Sequence, residues 1–214
     1  AGGGNDKIRM SVTASTEESG QYKDGDGNTL AEQTKNNPSA VTGNTIYQTQ
    51  YEDMDAYKKK SIMAKAFINV TDNQELRLSY TGNRSSDILY PNTPMDAAYD
   101  DSNIYNIGYS INNISNTFKK LDIQYYKSDV EHPMDNSLRV SGAGTVVTHL
   151  LTTEMQGLKI KNTFDLSGHK LLIGLDGSER KWDGKYLRSD SLMFHNKKSI
   201  DNAVTKNKAI FAKL

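Results

Sequence analysis

The feature that most limits what this chain can fold into is a hydropathy period of two. Seven stretches place apolar residues at alternate positions: Ile8, Met10, Val12 and Ala14; Ile62, Ala64, Ala66, Ile68 and Val70; Leu76, Leu78 and Tyr80; Tyr105, Ile107, Tyr109 and Ile111; Leu121, Ile123 and Tyr125; Leu158, Ile160 and Phe164, with Asn162 between them; Leu171, Ile173 and Leu175. An eighth begins near Lys206 and runs to Leu214. Successive side chains of a strand point to opposite faces, so each stretch reads as a strand with one apolar face. Helical periodicity is weak throughout.

None of the seven apolar faces carries Asp, Glu, Lys or Arg. The opposite faces are charged near their centres, at Arg77, Asp122 and Lys161. A Lys or Arg facing the bilayer midplane costs roughly 2–4 kcal/mol, and the wet interior of a membrane barrel tolerates one. Charge-free outer faces paired with charged inner faces therefore predict hydrocarbon on one side of the wall and water on the other.

The connections agree. Tight-turn chemistry follows the second, fourth and sixth strands, at Thr71-Asp72-Asn73-Gln74, Asn112-Asn113 and Ser167-Gly168. Long connections follow the first, third, fifth and seventh, over 16–55, 85–101, 129–150 and 183–204. Strict alternation of short and long places every long loop at one end, the arrangement of outer-membrane barrels. The expected fold is all-β: an antiparallel, up-and-down transmembrane β-barrel, present in part as seven or eight strands within one domain over 1–214. Tyr80, Tyr90, Tyr105, Tyr125, Phe164 and Trp182 are candidates for an aromatic girdle. The polar segment 16–55 reads as a mobile extracellular loop.

Composition narrows the function. The 26 basic and 26 acidic side chains cancel, which argues against nucleic acid as a partner. Cysteine is absent, excluding disulfides, thiolate metal sites and cysteine nucleophiles. No apolar run reaches the roughly 18 residues of a membrane helix. Ala1-Gly2-Gly3-Gly4-Asn5 is neither a signal peptide nor a lipidation motif. No Ser/His/Asp elbow or phosphate-binding glycine loop occurs, so no enzyme is expected.

Three segments could carry binding chemistry. Asp24-Gly25-Asp26-Gly27-Asn28 has the spaced oxygens of a calcium loop, but Thr29 and Lys35 stand where an EF-hand needs Gly and Glu. Asp96, Asp100 and Asp101 could hold a cation, and a structural role in their loop is preferred. In Glu131-His132-Pro133-Met134-Asp135-Asn136, His132 and Met134 are two apart and project to one side of an extended chain. Imidazole plus thioether is a soft donor pair that suits copper and not Mg or Ca. Two donors do not complete a site. His149, His169 and His195 lie apart in sequence.

The chain resembles the barrel part of TonB-dependent outer-membrane receptors. The resemblance is carried by Leu89-Tyr90-Pro91-Asn92-Thr93-Pro94-Met95-Asp96 with Asp100-Asp101, and by His132-Pro133-Met134-Asp135-Asn136-Ser137-Leu138-Arg139. It is most similar to the TonB-dependent copper receptors. The resemblance implies a barrel of about 22 strands, a plug domain beyond these residues, and energy supplied by TonB through that plug. It implies that His132 and Met134 contribute to a copper site, whose other ligands lie in the plug. The expected partners are outer-membrane lipid, TonB, and a metal ion or metal chelate. The expected location is the bacterial outer membrane, and the expected activity is import of copper or another metal. A ferric siderophore or cobalamin receptor, a passive porin-like barrel and a soluble β adhesin stay open as alternatives.

Overall fold

A computed structural model describes residues 1–36, 45–190 and 197–214. Ten strands form one antiparallel sheet: β1 (Gly2–Gly4), β2 (Ile8–Ser19), β3 (Tyr57–Thr71), β4 (Gln74–Ile88), β5 (Asp96–Asn112), β6 (Phe118–Glu131), β7 (Met134–Asp135), β8 (Val147–Leu166), β9 (His169–Arg188) and β10 (Lys197–Lys213). Neighbours follow chain order from β1 to β6 and from β8 to β10, and β7 bridges β5 and β8. This is the wall of a partial up-and-down β-barrel, as the alternation predicts. Two strands were not legible. β1 is three glycines with no pattern to read, and β7 is two residues long.

The strands are longer than their apolar stretches. β4 continues to Ile88 and β5 starts at Asp96, so most of the expected long connection over 85–101 is ladder. β9 likewise runs to Arg188 and β10 starts at Lys197. The apolar code marks only the part of each strand that faces hydrocarbon, and backbone pairing continues beyond it. The turns at the other end are tight. Ser167 and Gly168 both take positive φ, at 57° and 93°, as a two-residue hairpin turn of matching twist requires. β3 and β4 are joined through Asp72 and Asn73, with Thr71 facing Gln74.

Register aligns the outward residues into rows. One row runs Met10, Ala66, Leu78, Ile107, Tyr125, Leu158, Gly177, Lys208. Along β3 the first outward cation is Lys60, six residues beyond Ala66 toward the long-loop end. Along β10 the first is Lys208, within the row itself. The charge boundary thus descends roughly 20 Å across six strand spacings, or roughly 29 Å. The implied inclination is about 35°, the tilt of strands in membrane barrels. An apolar band bounded by a line at this slope is what tilted strands need if hydrocarbon ends in a plane. Ile62 to Val70 spans roughly 26 Å of strand, or about 20 Å along the normal at that tilt, close to the ~25 Å of a membrane barrel's apolar band.

Tyr80 and Tyr105 stand opposite each other at this boundary, ring centroids 5.2 Å apart, with Tyr125 in the next row. Phe118 and Phe164 stack at 5.0 Å at the tight-turn end. These five are the girdle. Tyr90 and Trp182 do not belong to it. Tyr90 lies in the 89–95 connection, and Trp182 alternates onto the inner face opposite Thr153, under Arg180 at 5.5 Å.

The inner face is polar. Arg77 Nη2 donates to Ser110 Oγ at 2.6 Å and to Asp122 Oδ1 at 3.1 Å, and Lys120 Nζ lies 3.1 Å from the same carboxylate. Asp122 is buried by these neighbours on its own sheet and not by a second layer. With Lys65, Lys159 and Lys161, Arg77 and Asp122 line an open concavity of about 340 Å³.

The apolar core of the described residues sits in the long-loop layer and not on the wall. Leu30, Ala31, Tyr47, Ala56 and Leu89 are buried together, with Met54, Tyr57 and Leu138 against them. The expectation of a mobile loop over 16–55 is therefore corrected over its described residues. β2 extends to Ser19, and α1 (Leu30–Asn36) follows. The helix begins on a capping box: the Glu32 amide donates to Thr29 Oγ1 at 3.2 Å, and the Thr29 amide donates to Glu32 Oε2 at 2.7 Å. That amide holds the Glu32 carboxyl below the usual carboxylate range. The Asp24–Asn28 segment is an Asx turn, with Asp24 Oδ1 accepting from the Asp26 and Asn28 amides at 3.0 and 2.8 Å.

Candidate functional site

The His132–Met134 segment lies at the long-loop end of the wall. β6 ends at Glu131, which alternates outward opposite Thr152. His132 then falls on the inner side, its amide donating to the Leu151 carbonyl at 2.9 Å. Pro133 cannot donate to a ladder and interrupts β6. Pairing resumes as β7, where Met134 stands opposite Ala97 on one side and His149 on the other. His132 and Met134, two apart, are held in extended chain between β5 and β8.

Their neighbours are now defined. His132 Nδ1 lies 3.4 Å from Asp100 Oδ2, and Tyr90 meets the imidazole edge-on at 6.0 Å between centroids. A carboxylate at one ring nitrogen orients the ring and leaves Nε2 for a ligand. His149 is the cross-strand partner of Met134, a position that brings Cβ atoms to about 5 Å. Its Nε2 hydrogen-bonds Ser199 Oγ at 2.6 Å, and its ring stacks on Tyr186 at 4.2 Å. Two imidazoles and a thioether thus gather on one part of the inner rim. Among the described residues no three His, Asp or Glu side chains cluster closely enough to hold a metal by themselves. Any metal bound here needs the thioether or donors from outside these residues. His169 stands at the tight-turn end opposite Leu166, far from this rim, and His195 lies outside the described residues.

A buried ion pair beneath the segment positions it. Arg139 is fully buried, and its Nε donates to Asp96 Oδ2 at 2.6 Å while Nη2 donates to Asp96 Oδ1 at 2.7 Å. Nη2 also donates to Tyr47 Oη and to the Tyr90 carbonyl, each at 2.8 Å, and Nη1 donates to the Thr45 carbonyl at 2.5 Å. Tyr47 Oη donates in turn to Asp96 Oδ1 at 2.7 Å, and its ring lies 3.8 Å under the guanidinium. Burial, followed by the Asp96 charge, pushes the Tyr47 hydroxyl well above the ordinary tyrosine range. Asp96 also accepts the Tyr90 amide at 2.8 Å and faces Asp135 across the β5–β7 ladder. Asp96 therefore ties the loop layer and the Tyr90 turn through its carboxylate, and β7 through its backbone ladder. The structural role read for Asp96 is what its contacts show. Asp101 lies 3.4 Å from Arg84, and Asp100 belongs to His132.

Sequence reasoning missed Arg139, Tyr47 and His149, because each acts through contacts made across many residues of chain. It had a signal for α1, since Thr29-x-x-Glu32 before Leu30 and Ala31 is a capping box.

No family model matches this chain, and no curated protein does. Among solved structures, one described as "Copper transporter OprC" superimposes with a TM-score of 0.76 over 98% of this chain at 18% sequence identity. The chain spans 30% of the length of that structure. At this identity the likeness establishes the fold: the wall is part of a β-barrel of the kind seen in that transporter.

Proposed function

We propose that this chain forms part of an outer-membrane receptor that imports copper, with His132 and Met134 among the ligands that capture it. The observation that carries the reading is the His132–Met134 segment: it sets imidazole and thioether two residues apart on the inner rim, and the β7 pairing brings His149 opposite Met134. Thioether sulfur favours Cu(I), and imidazole suits copper in either oxidation state. Asp100 orients His132, and the Arg139–Asp96 pair holds the strand that bears Met134. The slanted apolar band supports the membrane location, and the fold is shared with a structure described as a copper transporter. Energy from TonB, delivered through a plug elsewhere in the full-length protein, is part of the same reading. No covalent step is involved: the residues bind, orient and release the ion.

Copper binding and uptake by the full-length chain test this. Met134→Ala and His132→Ala are each expected to weaken copper binding at least tenfold while leaving detergent-extracted barrel intact. Unchanged copper affinity in both variants removes the assignment. Metal analysis separates the ferric siderophore or cobalamin alternative, in which iron or cobalt would co-purify and the two variants would bind as before.

A further inference from the structure

His149 of β8 faces Met134 across the β7–β8 ladder, while His132 donates its amide to the carbonyl of Leu151, two residues along β8. His149 is therefore directly opposite the thioether residue and diagonal to the first imidazole. Those positions are separated by about 5 and about 7–8 Å, spans that aromatic and long side chains cross.

The His149 ring is held from its far side. Nε2 meets Ser199 Oγ of β10 at 2.6 Å, and the ring stacks on Tyr186, its partner across the β8–β9 ladder. Two irregularities make this contact. The β9–β10 register shifts between Lys198 and Ile200, so Ser199 is the extra residue of a bulge, a device that re-aims a side chain. Gly184, opposite the bulge, keeps the path open: a Cβ there would stand 2.6 Å from Ser199 Oγ and 3.4 Å from His149 Nε2. Nδ1 adjoins the ring carbon that carries Cβ, so it stays close to β8 while Nε2 reaches β10. It has no partner among the described residues.

His132 shows the same division with its nitrogens exchanged. Nδ1 lies 3.4 Å from Asp100 Oδ2, and Nε2 has no partner among the described residues. An oxygen on one ring nitrogen and a bare second nitrogen is the arrangement of metal-binding histidines, because the held N–H fixes the tautomer and frees the other lone pair.

We infer that His149 is a third copper ligand, binding through Nδ1 beside His132 and Met134, with Ser199 as its positioning residue. The inference rests on the copper reading of His132 and Met134 and deepens it: the rim supplies two imidazoles and a thioether from its own strands, a donor set suited to Cu(I). With the ion on Nδ1, the ring proton sits on Nε2 and donates to Ser199 Oγ.

The test titrates the full-length chain in detergent with Cu(I) against a colorimetric Cu(I) chelator, and X-ray absorption counts the imidazoles on the bound ion. His149→Phe keeps the stack on Tyr186, and His149→Gln keeps a donor toward Ser199. Each is expected to weaken Cu(I) binding about tenfold or more and to remove one imidazole from the copper shell. The count is read on whichever variant keeps the heat-modifiable mobility of a folded barrel. Ser199→Ala is expected to weaken binding about tenfold with both imidazoles retained, and Ser199→Thr, which keeps the hydroxyl, to bind as the native chain does. An unchanged imidazole count in the His149 variants overturns the inference even where affinity falls, because that is a packing effect. Native affinity in Ser199→Ala removes the positioning role. Binding lost in His132→Ala and Met134→Ala but intact in the His149 variants defeats this inference alone. Native binding in all of them defeats the copper reading and this inference with it.

Discussion

Arg139 and Asp96, 43 residues apart in the chain, meet through hydrogen bonds of 2.6 and 2.7 Å where neither side chain exceeds 2% exposure. They join the two segments that the long-loop end most needs to hold, the strand carrying Met134 and the loop layer around Tyr47. Removing one member of a buried pair leaves the other charge without compensation and costs about 3–5 kcal/mol.

Arg139→Met is therefore expected to loosen the loop layer while the wall stays folded. Limited proteolysis of the full-length chain should give new cleavage within 20–56, with no change in the strand signal by circular dichroism. Adding Asp96→Leu to Arg139→Met removes the orphaned carboxylate and should restore part of the protection. Identical cleavage patterns in native chain and single variant would show that the pair does not hold the layer.

The two faces of β5 give a sharper test of the membrane wall. Ile107 points outward in the apolar band, and its neighbour Asn106 points into the inner concavity. Ile107→Lys is expected to lower barrel stability by about 2–4 kcal/mol, and Asn106→Lys by far less. Denaturant titration in detergent or bilayer measures both. Equal costs at the two positions would mean that both faces meet the same medium.

Gly157 lies under the ring of Tyr126, which crosses the inner wall to donate to Asp176 Oδ1 at 3.2 Å. A Cβ at 157 would stand 2.4 Å from Tyr126 Cζ and 2.9 Å from the Gly177 carbonyl oxygen. Gly157→Ala should cost about 1–3 kcal/mol as the ring is displaced. Tyr126→Ser in the same chain should suppress much of that cost. The coupling between the two substitutions, read from a double-mutant cycle of thermal stabilities, is the measurement.

How much of this was legible depends on whether a feature is local. The outward positions of seven strands followed from alternation alone, because the pleat assigns faces by parity whatever else the chain does. The tight turns followed from Asp, Asn and Gly. The donor pair His132 and Met134 was visible for the same reason, being two apart in extended chain. Strand ends were misplaced where pairing runs beyond the hydrocarbon, as at Ile88 and Asp96, since polar residues on both faces carry no alternation to read. Trp182 was given to the girdle from residue type, whereas its parity on β9 puts it inside.

Taken by itself, the sequence determined the kind of wall this is: antiparallel, charge-free on one face, wet on the other, with its long loops at one end. These properties repeat every two residues and need no distant partner. Only the tertiary structure decided what the loop end does with its residues. It set His149 across from Met134, put Asp100 against His132, and buried Arg139 on Asp96 and Tyr47. Each of those contacts closes a loop of many residues, and local physical chemistry cannot rank one such closure over another until register and packing select it.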